Sequence, residues 1–464
     1  MNLQQKRRKV MKKTVGILLV LVTMSVILHG CGLKPEEETG NSNNSSATTD
    51  TSQTEADESA DDSESEAEEI VEISFWNFPN YAVVDDVPGK YEEMLIEAFE
   101  AKNPNIKVNV EMIDFQSGPE KINTSIAAGT SPDVLYDAPG RIISWGKDGI
   151  LAPLNDMITD EVKANVSGSI LDASSYEGNV YMYPTHHAPF MMAFNRDMLE
   201  ELGLMDMINL EGDRSWTVDE FEALLRALKD NGQRGPMVFA SSQGGDQGTR
   251  AFIANLYDSP ITNDALTEYT INSENGVKSL EWVINAIDEG LLENGSAYDA
   301  NAAIDEFVGG RLAGTLLWSP GLEKIKIDTL NFETVFLPFP NSEKPKLEFL
   351  VGGLCIIDNH DEKKIEAAKK FIDFIANDPE WAPKNIESTG SFPVDQRITV
   401  NYGTEAMDYN ASMSEYYGTY YNTIPGFVEM RTFWFPMLQA TINHAETAED
   451  ALNDFVEKSN ATIK

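Results

Sequence analysis

Two adjacent histidines, His186 and His187, are the side chains of this 464-residue chain best suited to metal binding or proton transfer. A metal ion needs several ligands that converge on one point. Adjacent residues of an extended segment point to opposite faces, and no cysteine or Glu-x-x-His spacing completes a site. We therefore expect no bound metal. We expect both histidines to hydrogen-bond a ligand or to lie at an interface between lobes.

No catalytic or nucleotide-binding motif is found in the sequence. The chain has no P-loop, no Gly-x-Ser-x-Gly elbow and no His-Glu-x-x-His pattern. The glycine-rich run at residues 244–248 follows no clear strand and opens no clear helix, so we do not expect it to bind phosphate. With 76 acidic residues in the chain, carboxylate pairs say nothing about glycosidase chemistry. We expect neither enzyme activity nor a cofactor.

The apolar patterns predict an α/β fold. Residues 71–76 and 106–112 alternate apolar and polar side chains, as strands with one solvated face do. Helical spacing at residues 91–102 and 120–128 separates these strands and a short third strand, and this order predicts parallel pairing. Helices are further predicted at residues 198–202, 217–228, 277–288, 301–308, 363–376 and 447–459, with strands at 133–136, 334–337 and 349–357.

The N-terminus has the pattern of a bacterial lipoprotein leader. Six basic residues precede an uncharged segment, residues 14–28, which is short for a membrane span and typical of a signal peptide. The segment ends in Leu28-His29-Gly30-Cys31, which resembles a lipobox, although His29 departs from the usual small residue. We expect Cys31 to be lipidated as the new N-terminus. An uncleaved signal anchor is the alternative, and both hold the rest of the chain outside the membrane.

The segment after Cys31 predicts a disordered acidic stalk. It consists mainly of Ser, Thr, Asn, Asp, Glu and Ala without an aromatic residue, so it cannot bury enough apolar area to offset its ordering entropy. The whole chain has a formal net charge of −41, which argues against a nucleic-acid partner, because phosphate backbones are bound by Lys and Arg. The other cysteine, Cys355, lies in an apolar run and is expected to be buried.

Short motifs follow one another in order along the remaining chain. They are ISFW at 73–76, AAGTSPDV at 127–134, GILAPL at 149–154, YP at 183–184, FNRDML at 194–199, SWTVDEF at 215–221, FVGGRLAG at 307–314, AAKKFI at 367–372 and FP at 392–393. Together with the lipobox and the stalk, this order resembles extracellular solute-binding proteins of the sugar-binding, maltose-binding-protein type. Members of this family deliver ligands to ABC importers.

The resemblance implies an α/β protein with the two-lobed periplasmic-binding-protein fold of type II. Two α/β lobes would be joined by a multi-strand hinge, with the ligand cleft between them. The chain would cross between lobes near residues 184–189, 337–340 and 392–394. The expected parts are a signal peptide at 1–30, a stalk at 31–70, one lobe at 71–186 with 341–392, and a second lobe at 187–340 with 393–464.

The resemblance also implies which residues contact the ligand. A sugar presents apolar ring faces and a rim of hydroxyls, so its site combines aromatic rings with amides, acids and accessible backbone. Residues of these types lie at predicted strand ends, at the crossings and in a late aromatic element. The candidate ligand-binding residues are Trp76, Asn77, Phe78, Asp137, His186, His187, Trp318, Ser319, Gly353 and Trp434.

Each of these assignments has a structural alternative. Trp76, Trp318 and Trp434 could each pack in a core instead of facing the cleft. Asp137 could be a solvated turn residue. The sequence does not decide between these alternatives.

The resemblance implies a lipid-anchored substrate-binding protein that closes around a mono- or oligosaccharide. Its partners would be the permease subunits of an ABC importer and, through the lipid on Cys31, the extracellular face of the cell membrane. We expect a monomer. Two alternatives stay open: a receptor for a non-sugar solute in the same fold, and a surface carbohydrate-active enzyme.

Overall fold

Two separate hydrophobic cores organise the part of the chain that the structure, a computed structural model, describes. The described residues are 69–115, 117–342 and 344–463. They belong to one unit, Ala67–Lys464, that contains both cores. The predicted signal peptide, Cys31 and nearly all of the predicted stalk lie outside the described residues.

Strands and helices alternate along most of this part of the chain. The strands are β1 (Val71–Asn77), β2 (Ile106–Met112), β3 (Val134–Asp137), β4 (Ser175–Tyr176), β5 (Asn179–Val180), β6 (Tyr183–Pro189), β7 (Met191–Asn195), β8 (Met237–Phe239), β9 (Glu293–Gly295), β10 (Gly314–Trp318), β11 (Thr334–Leu337), β12 (Phe349–Ile356) and β13 (Phe392–Pro393).

The α-helices fill the intervals between the strands. They are α1 (Lys90–Lys102), α2 (Gly118–Ala128), α3 (Pro139–Lys147), α4 (Asp160–Asn165), α5 (Gly168–Ala173), α6 (Arg196–Leu202), α7 (Val218–Asp230), α8 (Gln247–Leu256), α9 (Glu274–Asp288), α10 (Ala300–Val308), α11 (Pro320–Lys326), α12 (Glu362–Asn377), α13 (Trp381–Thr389), α14 (Glu405–Ser412), α15 (Phe427–Ile442) and α16 (Ala448–Asn460). Short 3₁₀ helices cover Asn155–Met157, Met205–Met207, Met413–Tyr416 and Tyr421–Thr423.

The first lobe is built on a six-stranded sheet with the order β13-β6-β12-β3-β1-β2. β1 pairs in parallel with β2 and β3, which confirms the predicted parallel arrangement. β12 runs antiparallel between β3 and β6, and its register with β6 shifts between Gly352 and Gly353. The sheet thus joins strands from the beginning, the middle and the late part of the chain.

The second lobe has a three-stranded sheet, β10-β7-β11, in which β7 is antiparallel to both neighbours. Its helix α7 begins with a capping box formed by Thr217 and Glu220. Thr217 Oγ1 accepts a hydrogen bond from Glu220 N at 3.2 Å, and Glu220 Oε2 accepts one from Thr217 N at 2.7 Å. The apolar stripe of α7 packs in the second core, as its 3.6-residue period predicts.

The chain passes between the two cores at three places. It leaves the first sheet at the end of β6 and enters the second with β7. Phe339 and Leu347 still belong to the second core, and β12 then returns to the first sheet. After β13, Val394 lies in the first core and Tyr409 in the second. The residue numbers proposed above for the lobe boundaries stay a prediction, because the connecting strands belong to the region shared by the lobes.

Several helices were not predicted from the sequence. The expectation that residues 244–248 open no helix is wrong, because α8 begins at Gln247, downstream of β8. α15 contains an internal proline, Pro436, and carries aromatic residues on several faces, so it shows no clear helical stripe. Among the helices of the described residues, none combines the length and the apolarity that a membrane crossing requires.

Candidate functional site

Two amide side chains, Asn77 and Asn80, form hydrogen bonds at the end of β1 in the first lobe. Asn77 Nδ2 donates hydrogen bonds to Glu92 Oε1 at 2.8 Å and to Asn80 Oδ1 at 2.9 Å. Burial raises the pKa of Glu92. Asn77 Oδ1 and Asn80 Nδ2 are themselves buried and form no well-aligned hydrogen bond among the described residues, although the Asn80 amide is close enough to the Tyr136 hydroxyl to oppose the rise in its pKa that burial causes. A free acceptor on Asn77 and an amide donor that faces Tyr136 therefore lie near this strand end.

An arginine–aspartate pair follows at the end of β3. Arg141, one turn into α3, donates from Nε to Asp137 Oδ2 at 2.6 Å and from Nη2 to Asp137 Oδ1 at 2.5 Å. Burial would lower the pKa of Arg141, but Asp137 raises it, and Tyr420 and Asp246 add to the rise. Asp246 belongs to the second lobe, so Arg141 lies where the lobes face each other.

Four charged side chains form a buried network on the opposite side. Arg250 Nη1 lies 2.6 Å from Asp246 Oδ2, and Arg250 Nη2 lies 3.5 Å from Glu348 Oε2. Arg431 on α15 donates from Nε to Asp246 Oδ2 at 3.0 Å. Burial would raise the pKa of Asp246, but the two arginines lower it below its ordinary value. For Glu348, burial prevails and raises the pKa.

A tyrosine-rich segment between α14 and α15 borders both sides. Tyr417 stacks on Phe349 at a ring-centroid distance of 4.1 Å, and Tyr421 OH accepts a hydrogen bond from Arg250 Nε at 2.6 Å and donates one to Glu348. Burial raises the pKa of Tyr420, with smaller effects from neighbours that include Asp137 and Glu348. The hydroxyl of Tyr420 and Oδ1 of Asn422 are buried without a well-aligned hydrogen bond in the described part of the chain, and the Asn422 side chain opposes the rise in the Tyr420 pKa.

The two lobes approach each other closely at the start of α3. A Cβ at Gly140 would lie 2.9 Å from the Asn422 carbonyl oxygen and 3.0 Å from the Phe427 ring. Only a residue without a side chain fits there. The structure therefore has the first lobe resting against the tyrosine-rich segment and the first turn of α15.

Apart from Arg250 Nη1, which is ion-paired with Asp246, the buried polar atoms without a hydrogen bond around this region are neutral. Asn77 Oδ1 and Asn422 Oδ1 accept, Asn80 Nδ2 donates, and the hydroxyl of Tyr420 can do either. The charged groups are already paired with one another. Within residues 69–115, 117–342 and 344–463, no group of three or more His, Cys, Asp or Glu residues is placed to hold a metal ion. The arrangement suits a ligand with hydroxyl groups, which both donate and accept.

Among the residues proposed from the sequence, Asn77, Asp137 and His186 lie at or next to this region. His186 is 3% exposed, and its Nε2 lies 3.1 Å from the hydroxyl of Tyr136. His187 points the other way, as adjacent strand residues do, and its Nδ1 lies 2.8 Å from the Tyr417 hydroxyl. Both histidines thus sit on β6, where the lobes join.

Trp76, Phe78 and Gly353 are enclosed by protein groups. The Trp76 ring is 9% exposed and carries Lys121 Nζ 4.4 Å from its centroid. Phe78 is 1% exposed and stacks on Phe115. A Cβ at Gly353 would lie 2.5 Å from the backbone oxygen of Tyr183, so packing explains this glycine. Their ligand contacts stay predictions without support from this geometry.

Trp318, Ser319 and Trp434 have structural roles in the second lobe, which corrects the placement expected from the sequence. Trp318 and Trp434 are 0% and 1% exposed and pack edge-on against aromatic neighbours, so neither ring offers a free face to a ligand. Ser319 Oγ accepts a hydrogen bond from Leu322 N at 3.2 Å and caps α11. The structure supports the core alternative for both tryptophans.

Sequence reasoning missed most of the charged network and the tyrosine-rich segment. The run Tyr416-Tyr417-Gly418-Thr419-Tyr420-Tyr421-Asn422 was the available signal, since such a density of phenols is unusual for a solvated linker. Nothing in the local sequence distinguishes Arg250 or Glu348 from the many other charged residues.

Two α/β lobes joined by paired strands, with neutral hydrogen-bonding groups facing each other between them, define a protein of the two-lobed solute-binding class. The family model described as bacterial extracellular solute-binding protein matches residues 84–380. The chain therefore belongs to this family of solute-binding proteins.

Individual relatives are distant but extend over most of the chain. A putative binding protein of Brucella abortus is 23% identical over 390 residues, 81% of this chain and 90% of the relative. A maltooligosaccharide ABC transporter solute-binding lipoprotein of Streptococcus pneumoniae is 23% identical over 97% of both chains. An ABC substrate-binding protein of Listeria monocytogenes, solved with cycloalternan, is 22% identical, has a TM-score of 0.69 and covers 85% of this chain and 99% of its own. These likenesses confirm the predicted two-lobed fold.

Trp434→Ala should lower the free energy of unfolding by about 3–5 kcal/mol, because it removes a fully buried indole from the second core. Urea denaturation measures this loss. Phe435→Ala is the matched control, since the neighbouring ring is only partly buried and should cost less. A stable Trp434→Ala protein with weakened ligand binding would instead restore the ligand-contact role.

The two histidines of β6 should make stability fall between pH 7 and pH 5. Burial lowers the pKa of His186 to about 3 and that of His187 to about 4. Their folded pKa values lie below the unfolded value of about 6.5, so the unfolded state takes up protons first and stability is lost as the pH falls below that value. The expected loss is about 1–2 kcal/mol per histidine.

Urea denaturation at pH 7, 6 and 5 checks this dependence. The double variant His186→Gln/His187→Asn should lose much of the slope, whereas the exposed pair in His360→Gln/His444→Gln should leave it in place. Equal slopes for the wild type and the β6 variant would contradict the prediction.

Proposed function

We propose that this protein binds a carbohydrate between its two lobes and presents it to an ABC importer. The observation that carries the proposal is the set of buried neutral groups without well-aligned hydrogen bonds at the end of β1 and in the tyrosine-rich segment: Asn77 Oδ1, Asn80 Nδ2, Tyr420 OH and Asn422 Oδ1. Buried polar atoms without partners are costly, so they are typical of a place that a ligand fills. Hydroxyl groups satisfy such a mixture of donors and acceptors.

The relatives support a sugar as the solute. The pneumococcal relative is named for maltooligosaccharide, and the Listeria protein was solved in complex with cycloalternan. The balanced charges on this site favour a neutral ligand over an anionic or cationic solute. Binding would draw the lobes together, because a ligand held by groups of both lobes favours the state in which both contact it.

We further propose that the chain is anchored by a lipid on Cys31 at the extracellular face of the cell membrane. The pneumococcal relative is named as a lipoprotein, and the basic n-region, apolar segment and lipobox pattern of this sequence fit the same arrangement. The acidic segment 31–70 would act as a flexible stalk that lets a monomer reach its permease subunits.

Tyr420→Phe should weaken carbohydrate binding without destabilising the free protein. The substitution removes a hydroxyl that forms no well-aligned hydrogen bond among the described residues and only approaches the Asn422 side chain, so the ligand-free protein should lose little stability. The lost bond to the sugar should cost about 1 kcal/mol, or roughly fivefold in Kd. Calorimetric titration with maltotriose and cycloalternan measures affinity, and thermal melting without ligand measures stability.

Tyr421→Phe is the matched control, because this neighbouring hydroxyl is already bonded to Arg250 and Glu348. It should lower the melting temperature of the ligand-free protein. The absence of binding and of any melting shift across maltooligosaccharides, cycloalternan, mono- and disaccharides would refute the proposed carbohydrate function. Equal affinities of the wild type and Tyr420→Phe would refute only the placement of the site.

Cys31→Ser should release the protein from the membrane into the medium, because one serine cannot carry the thioether-linked lipid. Fractionation of cells that express either form, followed by mass spectrometry of the N-terminal peptide, measures the change. Ser319→Ala serves as a control substitution that leaves the leader intact. A wild-type N-terminal peptide without lipid would contradict the proposed anchor.

A further inference from the structure

A polar bridge crosses three strands of the first sheet, from the lobe connection to the candidate site. The hydroxyl of Tyr136 on β3 lies 3.1 Å from Nε2 of His186 on β6. β12 runs between these strands, and a Cβ at Gly352 would lie 2.4 Å from the Tyr136 hydroxyl and 2.5 Å from His186 Nε2. The two side chains meet above the middle strand because Gly352 has no side chain.

The proton positions in this bridge follow from its neighbours. The hydroxyl of Thr185 donates to the Gly352 carbonyl oxygen at 3.1 Å, and its oxygen lies 3.0 Å from His186 Nδ1. A hydroxyl has one proton, so the bond to His186 must take its proton from Nδ1. Burial lowers the pKa of His186 to about 3, so the ring is neutral near pH 7 and has a single N–H. Nε2 therefore accepts, and the Tyr136 hydroxyl donates to it.

We infer that His186 is a positioning residue that fixes the Tyr136 oxygen as a hydrogen-bond acceptor for the ligand. Tyr136 is 7% exposed, the Asn80 amide faces its hydroxyl oxygen as a donor, and Tyr420 of the candidate site is a further neighbour. With its proton held by His186, Tyr136 can offer only lone pairs to a bound molecule. A ligand hydroxyl that faces Tyr136 must therefore donate its own proton.

The same bridge links the site to the connection between the lobes. His186 and Thr185 belong to β6, which leads directly into the second lobe, and Gly352 lies at the register shift of β12. The ring of His186 also lies nearly parallel to that of Tyr136, with centroids 5.7 Å apart. The hydrogen bond between Tyr136 and His186 thus connects a proposed ligand contact to β6, the strand that leads into the second lobe. This role of Tyr136 rests on the proposed function, whereas the test below uses no ligand.

The tautomer of His186 tests the inference directly. Long-range proton–nitrogen correlation spectra of ¹⁵N-histidine-labelled wild-type protein at pH 7 distinguish the two neutral tautomers, and loss of a signal set in His186→Gln assigns the residue. We expect the proton on Nδ1 and an unprotonated Nε2. A proton on Nε2, or a charged ring, would overturn the inference, because Tyr136 would then accept from His186.

A double-mutant cycle tests whether His186 acts through Tyr136. In wild-type and Tyr136→Phe backgrounds, His186→Leu should change the unfolding equilibrium constant by amounts that differ roughly three- to tenfold, because the bond exists only in the first. The conservative variant His186→Gln should keep most of this coupling, since its amide oxygen can accept the same proton. If neither the His186→Leu cycle nor the His186→Gln cycle shows coupling with Tyr136, the inference is overturned. If His186→Leu does not fold, the spectra of the wild-type protein decide whether the inference holds. Sugar affinity enters neither measurement, so failure here is distinct from failure of the proposed carbohydrate function.

Discussion

The antiparallel pairing of β6 with β12 is the constraint on which the interlobe region depends. Their ladder runs from Phe349 opposite Pro189 to Leu354 opposite Tyr183. β6 leads into the second lobe and β12 returns from it, so a single ladder ties two of the three chain passages together. Because β12 also pairs with β3, the same ladder fixes where Asp137 stands relative to the histidines. Backbone bonds of this kind position side chains that are far apart in the sequence.

The charged side chains near this ladder are paired with one another and need no ligand to balance their charges. Arg141 pairs with Asp137, while Arg250 and Arg431 share Asp246 and Arg250 also approaches Glu348. A buried ion without a partner costs several kcal/mol, whereas a paired and hydrogen-bonded one is tolerated. The network therefore acts as a rigid frame, and the polar groups left over are uncharged. Selectivity at such a site depends on hydrogen-bond direction and less on net charge.

The regular elements of the first lobe could be predicted closely because their patterns are local. β2 begins and ends at the predicted residues, and β1 extends the predicted strand by one residue, since strict alternation defines a half-buried strand. α15 was missed because its aromatic residues and Pro436 hide the helical period. The two lobes and the family resemblance could be predicted from the order of short motifs along the chain, because such motifs reflect turns and caps.

The site was much less accessible to sequence reasoning than the fold. Asn77 and Asp137 could be proposed because strand ends carry ligand contacts in α/β sheets. Asn80, Arg250, Glu348 and Tyr420 come from four distant segments, and only tertiary packing brings them together. Trp434 shows the converse limit: an aromatic residue has the chemistry of a ligand platform and of a core residue alike, and burial alone separates the two.

The shifted register of β12 at Gly352 and Gly353 has a mechanical consequence. An irregular point in a ladder bends more readily than a regular one, and two glycines impose no side-chain barrier to new backbone angles. A rotation of one lobe against the other would concentrate its strain at this point, while the ladder on either side keeps its bonds. Much of the bending between the lobes would then occur at two residues, of which Gly352 lies beside the hydrogen bond between Tyr136 and His186.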